Sequence, residues 1–426
     1  MGEAPERPER PRLGRTVIAL GFVSLLTDVA SEMAYTQVPL FLTQVLGTRA
    51  GAVGLIEGIA ESTASLMRLI SGWLSDRSGR RKPIALWGYS FGAISKPLMA
   101  LASLWPTVLF LRFLDRLGKG LRTAPRDALI AETTPAVIRG RAFGLHRTLD
   151  TTGAVIGPLL GVWFLLHASA GMRRFFLSAG HGSFFSALTA PGESGDLRRL
   201  FFFAGLPGLL AVLTLLFAVR EKAVSPPSSA AARPPTFPRW RDLQPGYRRF
   251  LLAVLIFNLG NSADAFLVLR ANQLGFSAGE ILWLYAAFNM VEALLGYFAG
   301  TFSDKVGRRP LIIAGYLVFA LVYLGFALAS GKSAIWALFL LYGGYYTLTQ
   351  GTQRAFAADL SDPRQRATQI GAYHTVVGVA LLPASVIAGA LFGWHPAAAF
   401  AYGAMMALLG ALLLLSQRVP AASLQE

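Results

Sequence analysis

Long apolar runs alternate with short polar segments along the whole chain. Each run is close to the roughly 20 residues that a helix needs to cross the hydrocarbon core of a bilayer. The pattern therefore predicts an all-α integral membrane protein with twelve transmembrane helices. We place them at about 16–45, 51–75, 83–103, 105–124, 138–167, 200–219, 248–271, 278–302, 310–330, 333–357, 366–393 and 395–416.

A polar segment near the middle of the chain predicts a boundary between two six-helix bundles. The stretch 225–235 reads SPPSSAAARPP, a composition typical of extended linkers. The predicted organisation follows from it in chain order: a tail at 1–15, a first bundle at 16–219, a linker at 220–247, a second bundle at 248–416 and a tail at 417–426.

One loop signature occurs twice, after the second predicted helix of each half. GWLSDRSGRR at 72–81 returns as GTFSDKVGRR at 300–309, and parallel six-helix repeats are one way to build an alternating-access transporter. We predict a gating role, in which the aspartate meets a helix N-terminus or a neighbouring arginine. The alternative is that the loops serve topology alone. The residues concerned are Gly72, Asp76, Gly79, Arg80, Arg81, Gly300, Asp304, Gly307, Arg308 and Arg309.

The distribution of charge along the chain predicts the orientation of the helices in the membrane. Charged residues make up 15% of the chain, against about 25% in soluble proteins, yet the net charge is +16. Most basic residues lie in alternate loops, which predicts cytoplasmic termini in a bacterial inner membrane and argues against a nucleic-acid partner. The exception is 168–199, with four arginines on the outer side, which we interpret as a hairpin or an interfacial segment.

The repeated loop, G-x-x-x-D-R-x-G-R-R, resembles the signature of the major facilitator superfamily. Gly153, Gly157, Pro158 and Gly161 in predicted helix five resemble a motif found mainly in the antiporters of that superfamily. The resemblance implies two bundles that rock about a cavity lined by helices one, four, seven and ten. Predicted helix four carries RFLDR at 112–116 where the superfamily usually has Arg followed by Gln-Gly, which counts against the drug-efflux branch.

Predicted helix one places four polar side chains on one face. Asp28, Ser31, Glu32 and Tyr35 are spaced three or four residues apart. Acids inside a membrane span are costly and usually face a cavity or a partner. Proton coupling at Asp28 or Glu32 is one hypothesis, and a structural pair with an arginine of helix four is the other.

Predicted helix four carries a basic stripe that runs towards the cytoplasm, with Asp115 offsetting part of it. The stripe consists of Arg112, Arg116, Lys119, Arg122 and Arg126. A buried arginine needs a partner. We predict that Arg112 and Arg116 pair with Asp28 or Glu32, and keep an anionic substrate as the alternative. Glu57 and Glu61 of helix two are interpreted as rim or packing residues.

The second half is less charged and richer in hydrogen-bonding groups. Its candidate cavity residues are Asn261 and Asp264 in helix seven, Glu292 in helix eight, and Tyr346, Gln350 and Arg354 in helix ten. Rings and amides of this kind suit an amphipathic solute. Hydrogen bonding between helices is the equal alternative. We interpret His374 in helix eleven as a packing residue.

No motif for soluble catalysis is present. The chain has no GxxxxGK[ST] loop, no HExxH and no cysteine, so we predict a protein that is not an enzyme and needs no cofactor or metal. The predicted function is secondary transport of a small solute across the bilayer, by proton antiport that exports an organic compound. Because two complete bundles are sufficient for this, we predict a monomer. The alternatives are a carrier for an organic anion or phosphorylated solute and, more remotely, a transporter-like receptor.

Overall fold

The computed structural model describes residues 13–78, 80–135, 138–179, 183–221, 240–361 and 366–416, which form helices and no strand. The described residues contain twelve long helices. They are α1 (Arg15–Tyr35, extended by Val38–Leu40 and a π turn Phe41–Val45), α2 (Ala50–Ser78), α3 (Arg81–Met99), α4 (Trp105–Glu132), α5 (Arg139–Trp163, extended by a π turn Phe164–Ala168), α6 (Gly192–Ala218), α7 (Pro245–Gly260, continued by Ala265–Gln273), α8 (Ala278–Val306), α9 (Arg308–Leu328), α10 (Lys332–Asp359), α11 (Arg366–Trp394) and α12 (Pro396–Leu415).

Length and composition alone identify eight helical segments, in α1, α5–α9, α11 and α12, that are long and apolar enough to cross a membrane. The other four helices, α2, α3, α4 and α10, have 29, 19, 28 and 28 residues. Three of these, α2, α4 and α10, contribute polar side chains to the cavity described below. The prediction of an all-α membrane fold with two six-helix bundles is confirmed.

Two helices are longer than predicted. The helix predicted from 200 begins at Gly192, and the helix predicted to end at 124 continues to Glu132. Both extensions contain basic residues that bond inside the protein. Arg199 is 2% exposed and donates to the carbonyl oxygens of Leu188 and Ala190 at 2.8 and 2.9 Å. Hydropathy cannot distinguish such a buried arginine from one in a loop.

The outer arginine-rich segment contains two short helices, Ser169–Ala179 and Ser183–Thr189. Besides its bonds to the carbonyl oxygens of Leu188 and Ala190, Arg199 donates from Nε to Ser169 Oγ at 2.9 Å. Arg173 Nε donates to the Thr189 carbonyl oxygen at 2.9 Å. The arginines thus fasten this pair of helices to α6, which supports the hairpin interpretation.

The helix ends lie on two faces. Lys82 Nζ donates to the carbonyl oxygens of Leu216 and Val219 at 2.8 and 2.7 Å, and Arg309 Nε donates to that of Leu414 at 2.9 Å. We call this the terminal face, since the described chain begins and ends there. The hairpin lies on the opposite face. Residues 1–12, 417–426 and most of the predicted linker, 222–239, lie outside the described residues.

Candidate functional site

A cavity of about 660 Å³ lies between the two halves. All eleven residues predicted to face a cavity line it: Asp28, Glu32, Arg112, Asp115, Arg116, Asn261, Asp264, Glu292, Tyr346, Gln350 and Arg354. The expected lining by helices one, four, seven and ten is too narrow, because α2, α5, α8 and α11 also contribute side chains. The structure thus brings together residues that lie far apart in the sequence.

The two halves are packed against each other towards the opposite face. Gln37 Nε2 donates to the Ala278 carbonyl oxygen, and Gln44 Nε2 donates to Asn272 Oδ1, both at 3.1 Å. At Gly54 on α2 a Cβ atom would lie 2.2 Å from the Ser385 carbonyl oxygen of α11, so only glycine permits this approach. These contacts close the cavity on that side.

The cavity opens towards the terminal face. Gln350 and Arg354, on α10, are exposed although they line it. Arg147 on α5 also lines it, and its side chain is 62% exposed. Solvent therefore reaches the cavity from the terminal side while the opposite side is shut.

The deep arginines of α4 pair with glutamates of α2. Arg112 is 2% exposed and bonds Glu57 through both Nε, at 3.0 Å, and Nη2. Arg116 Nη2 lies 2.9 Å from Glu61 Oε1. The predicted pairing with Asp28 or Glu32 is wrong, and the rim role assigned to Glu57 and Glu61 is replaced by ion pairing. Helix α2 packs directly on α4, with Gly120 against Met67 and Ala64, which brings these glutamates to the arginines.

A buried lysine that the sequence reading missed neutralises Asp115. Lys96 of α3 is 1% exposed, and its Nζ lies 3.2 Å from Asp115 Oδ1 and 2.8 Å from the Gly92 carbonyl oxygen. The Tyr35 ring lies under Arg112 and Arg116, at 4.2 and 4.6 Å from their Cζ atoms. Cation–π contacts add to the ion pairs. The signal in the sequence was that Lys96 is the single charged residue of the predicted span 83–103.

The two acids of α1 differ from the arginines of α4 in their partners. Asp28 and Glu32 line the cavity, and neither has an ion-pair partner among the described side chains. Asp28 hydrogen-bonds to the carboxyl group of Asp150 on α5, which also accepts a bond of 2.5 Å from Ser24 Oγ. The sequence reading missed Asp150, whose only signal was a lone acid one turn before Gly153.

Arg147 connects this acidic region to the second half. Its Nη1 lies 3.3 Å from Asp150 Oδ2, and its Nη2 lies 3.2 Å from Glu292 Oε1 on α8. Close by, Asn289 Nδ2 donates to the Ala154 carbonyl oxygen at 2.7 Å. The α5–α8 contact is therefore polar and spans the two halves beside the cavity.

The second half presents an aromatic wall with one acid. Asp264, where α7 is interrupted, accepts hydrogen bonds from Tyr342 Oη at 2.7 Å and Tyr346 Oη at 3.4 Å. Asn261 Nδ2 donates to Tyr345 Oη at 3.2 Å. Phe288 stands edge-on to Tyr346 with ring centroids 5.3 Å apart. This wall offers ring faces for packing and hydrogen-bonding groups at their edges.

The repeated loops make their contacts within each half. Arg81 Nη2 lies 2.6 Å from Glu132, and Arg308 Nη1 lies 2.5 Å from Asp359 and 2.7 Å from the Ala355 carbonyl oxygen. Arg80 is exposed, and Gly307 has a φ of +92°, which favours glycine.

Part of the loop motif cannot be placed in this way. Gly79 and the side chains of Asp76 and Asp304 lie outside the described residues, as do the surroundings of Gly300. Gly72 faces Ala124 of α4, where a Cβ atom would be 3.5 Å away. The gating role stays a prediction.

The glycine motif of α5 packs this helix against α1. A Cβ atom at Gly153 would lie 2.5 Å from the Leu25 carbonyl oxygen, and one at Gly157 would lie 2.8 Å from that of Val29. Gly161 faces Leu282 of α8 in the second half, and Pro158 is buried beside it. Among the described residues no group of His, Cys, Asp and Glu could hold a metal ion.

Two helical halves around a charged and aromatic cavity, closed at one face and open at the other, define a polytopic membrane transporter fold. The family model of the Major Facilitator Superfamily matches residues 20–384 and 250–426. The chain therefore belongs to the Major Facilitator Superfamily, a family of transporters.

Relatives and solved structures agree with this assignment. An uncharacterized MFS-type transporter of Methanocaldococcus jannaschii is 33% identical over 409 residues, 95% of each chain. The multidrug resistance protein MdtH of Yersinia pestis is 25% identical over 363 residues, 82% of this chain and 80% of that one. A bacterial homolog of the human lysosomal transporter Spinster, solved in an inward-facing and unoccupied conformation, has a TM-score of 0.71 at 19% identity and covers 94% of each chain. That similarity shows the fold.

Proposed function

We propose that the protein is a proton-coupled antiporter that exports an amphipathic organic solute by alternating access. The observation that carries this proposal is the make-up of the cavity. Asp28, Glu32 and Asp264 face the space that the aromatic wall of the second half also faces, and none of the three has an ion-pair partner among the described side chains. Acids without a cationic partner inside a membrane protein are suited to exchange protons with solvent or solute.

The contact between Asp28 and Asp150 supports a proton-binding role. Two carboxyl groups in hydrogen-bond contact hold one shared proton at a lower cost than two negative charges. The pair joins α1 to α5 beside Gly153, where the two backbones approach closely. A change of protonation there acts on the packing of two helices that rock together, which is a route from proton binding to movement.

Orientation and direction follow from charge and resemblance. The basic loops of the terminal face favour the cytoplasmic side, so both termini would be cytoplasmic and the conformation inward-facing in an inner membrane. The α5 motif resembles that of antiporters, and a multidrug resistance protein is among the relatives. Two complete bundles enclose the cavity, so we propose a monomer as the functional unit.

An anion carrier is the second candidate function, with a binding site that differs from the one predicted from the sequence. Arg112 and Arg116 are neutralised by Glu57 and Glu61, so the deep part of the basic stripe does not provide the anion site. Cavity-lining cations without an ion-pair partner among the described side chains lie nearer the terminal face. They are Arg68, Lys119, Arg122 and Arg354.

We expect Asp28→Asn to abolish proton-driven transport while solute exchange without a proton gradient continues. The neutral amide keeps the size of the side chain but removes the proton site. A solute is first chosen by thermal stabilisation of the purified protein with a panel of organic cations, anions and neutral compounds. Proteoliposomes containing a pH-sensitive dye then report proton movement on solute addition, and labelled solute reports exchange.

Thr148→Ala, on the exposed face of α5, is the matched control and should behave as the unmodified protein. Full proton-driven transport by the Asp28→Asn variant would remove Asp28 from the coupling role. If Asp150→Asn also retained it, the carboxyl pair would be structural.

A further inference from the structure

A group of basic side chains lies at the point where the two halves separate. Helices α2 and α11 run antiparallel and are closely packed from Gly54 and Ser385 down to Ser65 and Gly378, where a Cβ atom on the glycine would be 2.5 Å from Ser65 Cβ. Ser62 Oγ donates to the Gly378 carbonyl oxygen at 2.8 Å. Beyond this contact, towards the terminal face, Arg68 of α2 and His374 of α11 line the cavity.

One turn further towards the terminal face, this register places Arg68 of α2 opposite His374 of α11. Arg354 of α10 joins them, and all three side chains line the cavity. The positive charges of Arg354 and Arg68 lie close enough to repel each other, and both arginines act on His374. Three nitrogen-bearing side chains from the two halves thus share one region.

The charge of this region is not balanced. Glu61, Arg126 and Asp127 are among the other charged groups that act on Arg68. Glu61 is paired with Arg116 at 2.9 Å, and Asp127 is paired with Arg126 at 2.8 Å. Neither Arg68 nor Arg354 has a carboxylate within ion-pair distance among the described side chains. The Nε atom of Arg68 is buried and has no hydrogen-bond partner. Two guanidinium groups without an ion-pair partner among the described side chains therefore line the same cavity, and Arg68 also has an unused donor.

We infer that Arg68, Arg354 and His374 form a site for an anionic oxyacid group, a carboxylate, sulfonate or phosphate, that bridges the two halves. Guanidinium groups bind such groups through paired hydrogen bonds, and a second arginine from the other half completes the clamp. The anion is either the acid group of an organic solute whose apolar part lies on the aromatic wall, or a free inorganic anion. The inference depends on the proposed function only in that the cavity binds a solute.

The site has a consequence for alternating access. Closure of the terminal side brings α2 and α10 together, so two unpaired guanidinium charges oppose it. An anion between them removes that repulsion and adds a bond to each half. Occupancy of the site thus favours closure, and an empty cavity stays open to the terminal face.

Binding is tested on the purified full-length protein with 1-naphthalenesulfonate, its neutral analogue 1-naphthalenesulfonamide, and inorganic sulfate. Ligand-dependent thermal stabilisation gives the affinity of each. We expect the sulfonate to stabilise the protein and Arg68→Gln and Arg354→Gln each to weaken its binding at least about tenfold, because each removes a charged hydrogen-bond donor pair. Arg249→Gln removes one charge from an exposed position on the terminal face and should leave the affinity unchanged.

The probes separate the two sources of the anion. Stabilisation by the sulfonate alone assigns the site to a solute's own acid group. Stabilisation by sulfate as well, with the same dependence on Arg68 and Arg354, shows that a free anion is accepted. Equal affinity in the two Gln variants and in Arg249→Gln, or equal stabilisation by the sulfonamide, overturns the inference.

Two further variants and one distance measurement keep the inference testable if the Gln variants fail to fold. If the Gln variants fail to fold, Arg68→Lys and Arg354→Lys keep the charge but lose the paired donors, and unchanged sulfonate affinity in both contradicts the site. The chain has no cysteine, so Ser78→Cys and Gly351→Cys can be labelled selectively. The sulfonate should shorten the distance between the labels, and the sulfonamide should not. Loss of proton coupling in Asp28→Asn is a separate readout, so either proposal can fail alone.

Discussion

Replacing Arg112 with Met is expected to lower the free energy of unfolding by about 3–5 kcal/mol. The substitution leaves Glu57, which is 6% exposed, buried on α2 without its cation. Removing one member of a buried ion pair is costly because the remaining charge is neither hydrated nor paired. Thermal unfolding of the purified protein, followed by intrinsic fluorescence, measures the loss.

A double variant separates the stranded charge from the lost packing. Glu57→Gln combined with Arg112→Met removes both charges, so it should recover a large part of the stability that Arg112→Met loses. Arg147→Met is the matched control, because the Arg147 side chain is 62% exposed and its ion pairs are reached by solvent. Its expected cost is below about 1 kcal/mol. Equal losses for Arg112→Met and Arg147→Met would contradict the buried pair.

The second large effect is expected at the crossing of α1 and α5. In Gly157→Ala the new Cβ atom would lie 2.8 Å from the Val29 carbonyl oxygen and 2.9 Å from Glu32 Cβ. The two backbones must move apart, and overpacking of this kind costs about 1–3 kcal/mol. Since Glu32 lines the cavity, the displacement should also reduce transport. Thermal unfolding and solute exchange in proteoliposomes measure the two effects.

Gly144→Ala tests whether the contact or the loss of a helical glycine matters. Gly144 lies on the same helix, and an added Cβ atom would meet nothing within 4 Å. Alanine is favoured over glycine inside a helix by about 0.5–1 kcal/mol, so this variant should be neutral or slightly more stable. A Gly157→Ala protein as stable and as active as Gly144→Ala would show that α1 and α5 are not in close contact.

Much of the candidate site could be predicted because helical periodicity places residues on common faces. Asp28 and Glu32 were grouped by spacing alone, and both line the cavity. The polar residues of α7 and α10 follow the same rule, since polar groups in a membrane span avoid lipid. Asp150 and Lys96 were missed because spacing within one helix does not show which neighbouring helix a polar side chain meets: Asp150 contacts α1, and Lys96 contacts α4.

The partners of the α4 arginines could not be predicted. Spacing shows that Arg112 and Arg116 share a face, but not which helix that face meets. Glu57 on α2 and Glu32 on α1 were both available by composition. The choice depends on how α2 rotates about its own axis when it packs on α4 through Gly120. That rotation results from contacts between residues distant in the chain.

The amino-acid sequence by itself determined the number of helices, the two-bundle organisation and the polar faces of α1, α4, α7 and α10. These follow from the length of apolar runs and from the 3.6-residue turn, which are local properties. Only the tertiary structure decided the ion pairs of Arg112 and Arg116, the contact between Asp28 and Asp150, and the meeting of Arg68 with Arg354. Each of these joins different helices, and its geometry depends on packing across the whole bundle.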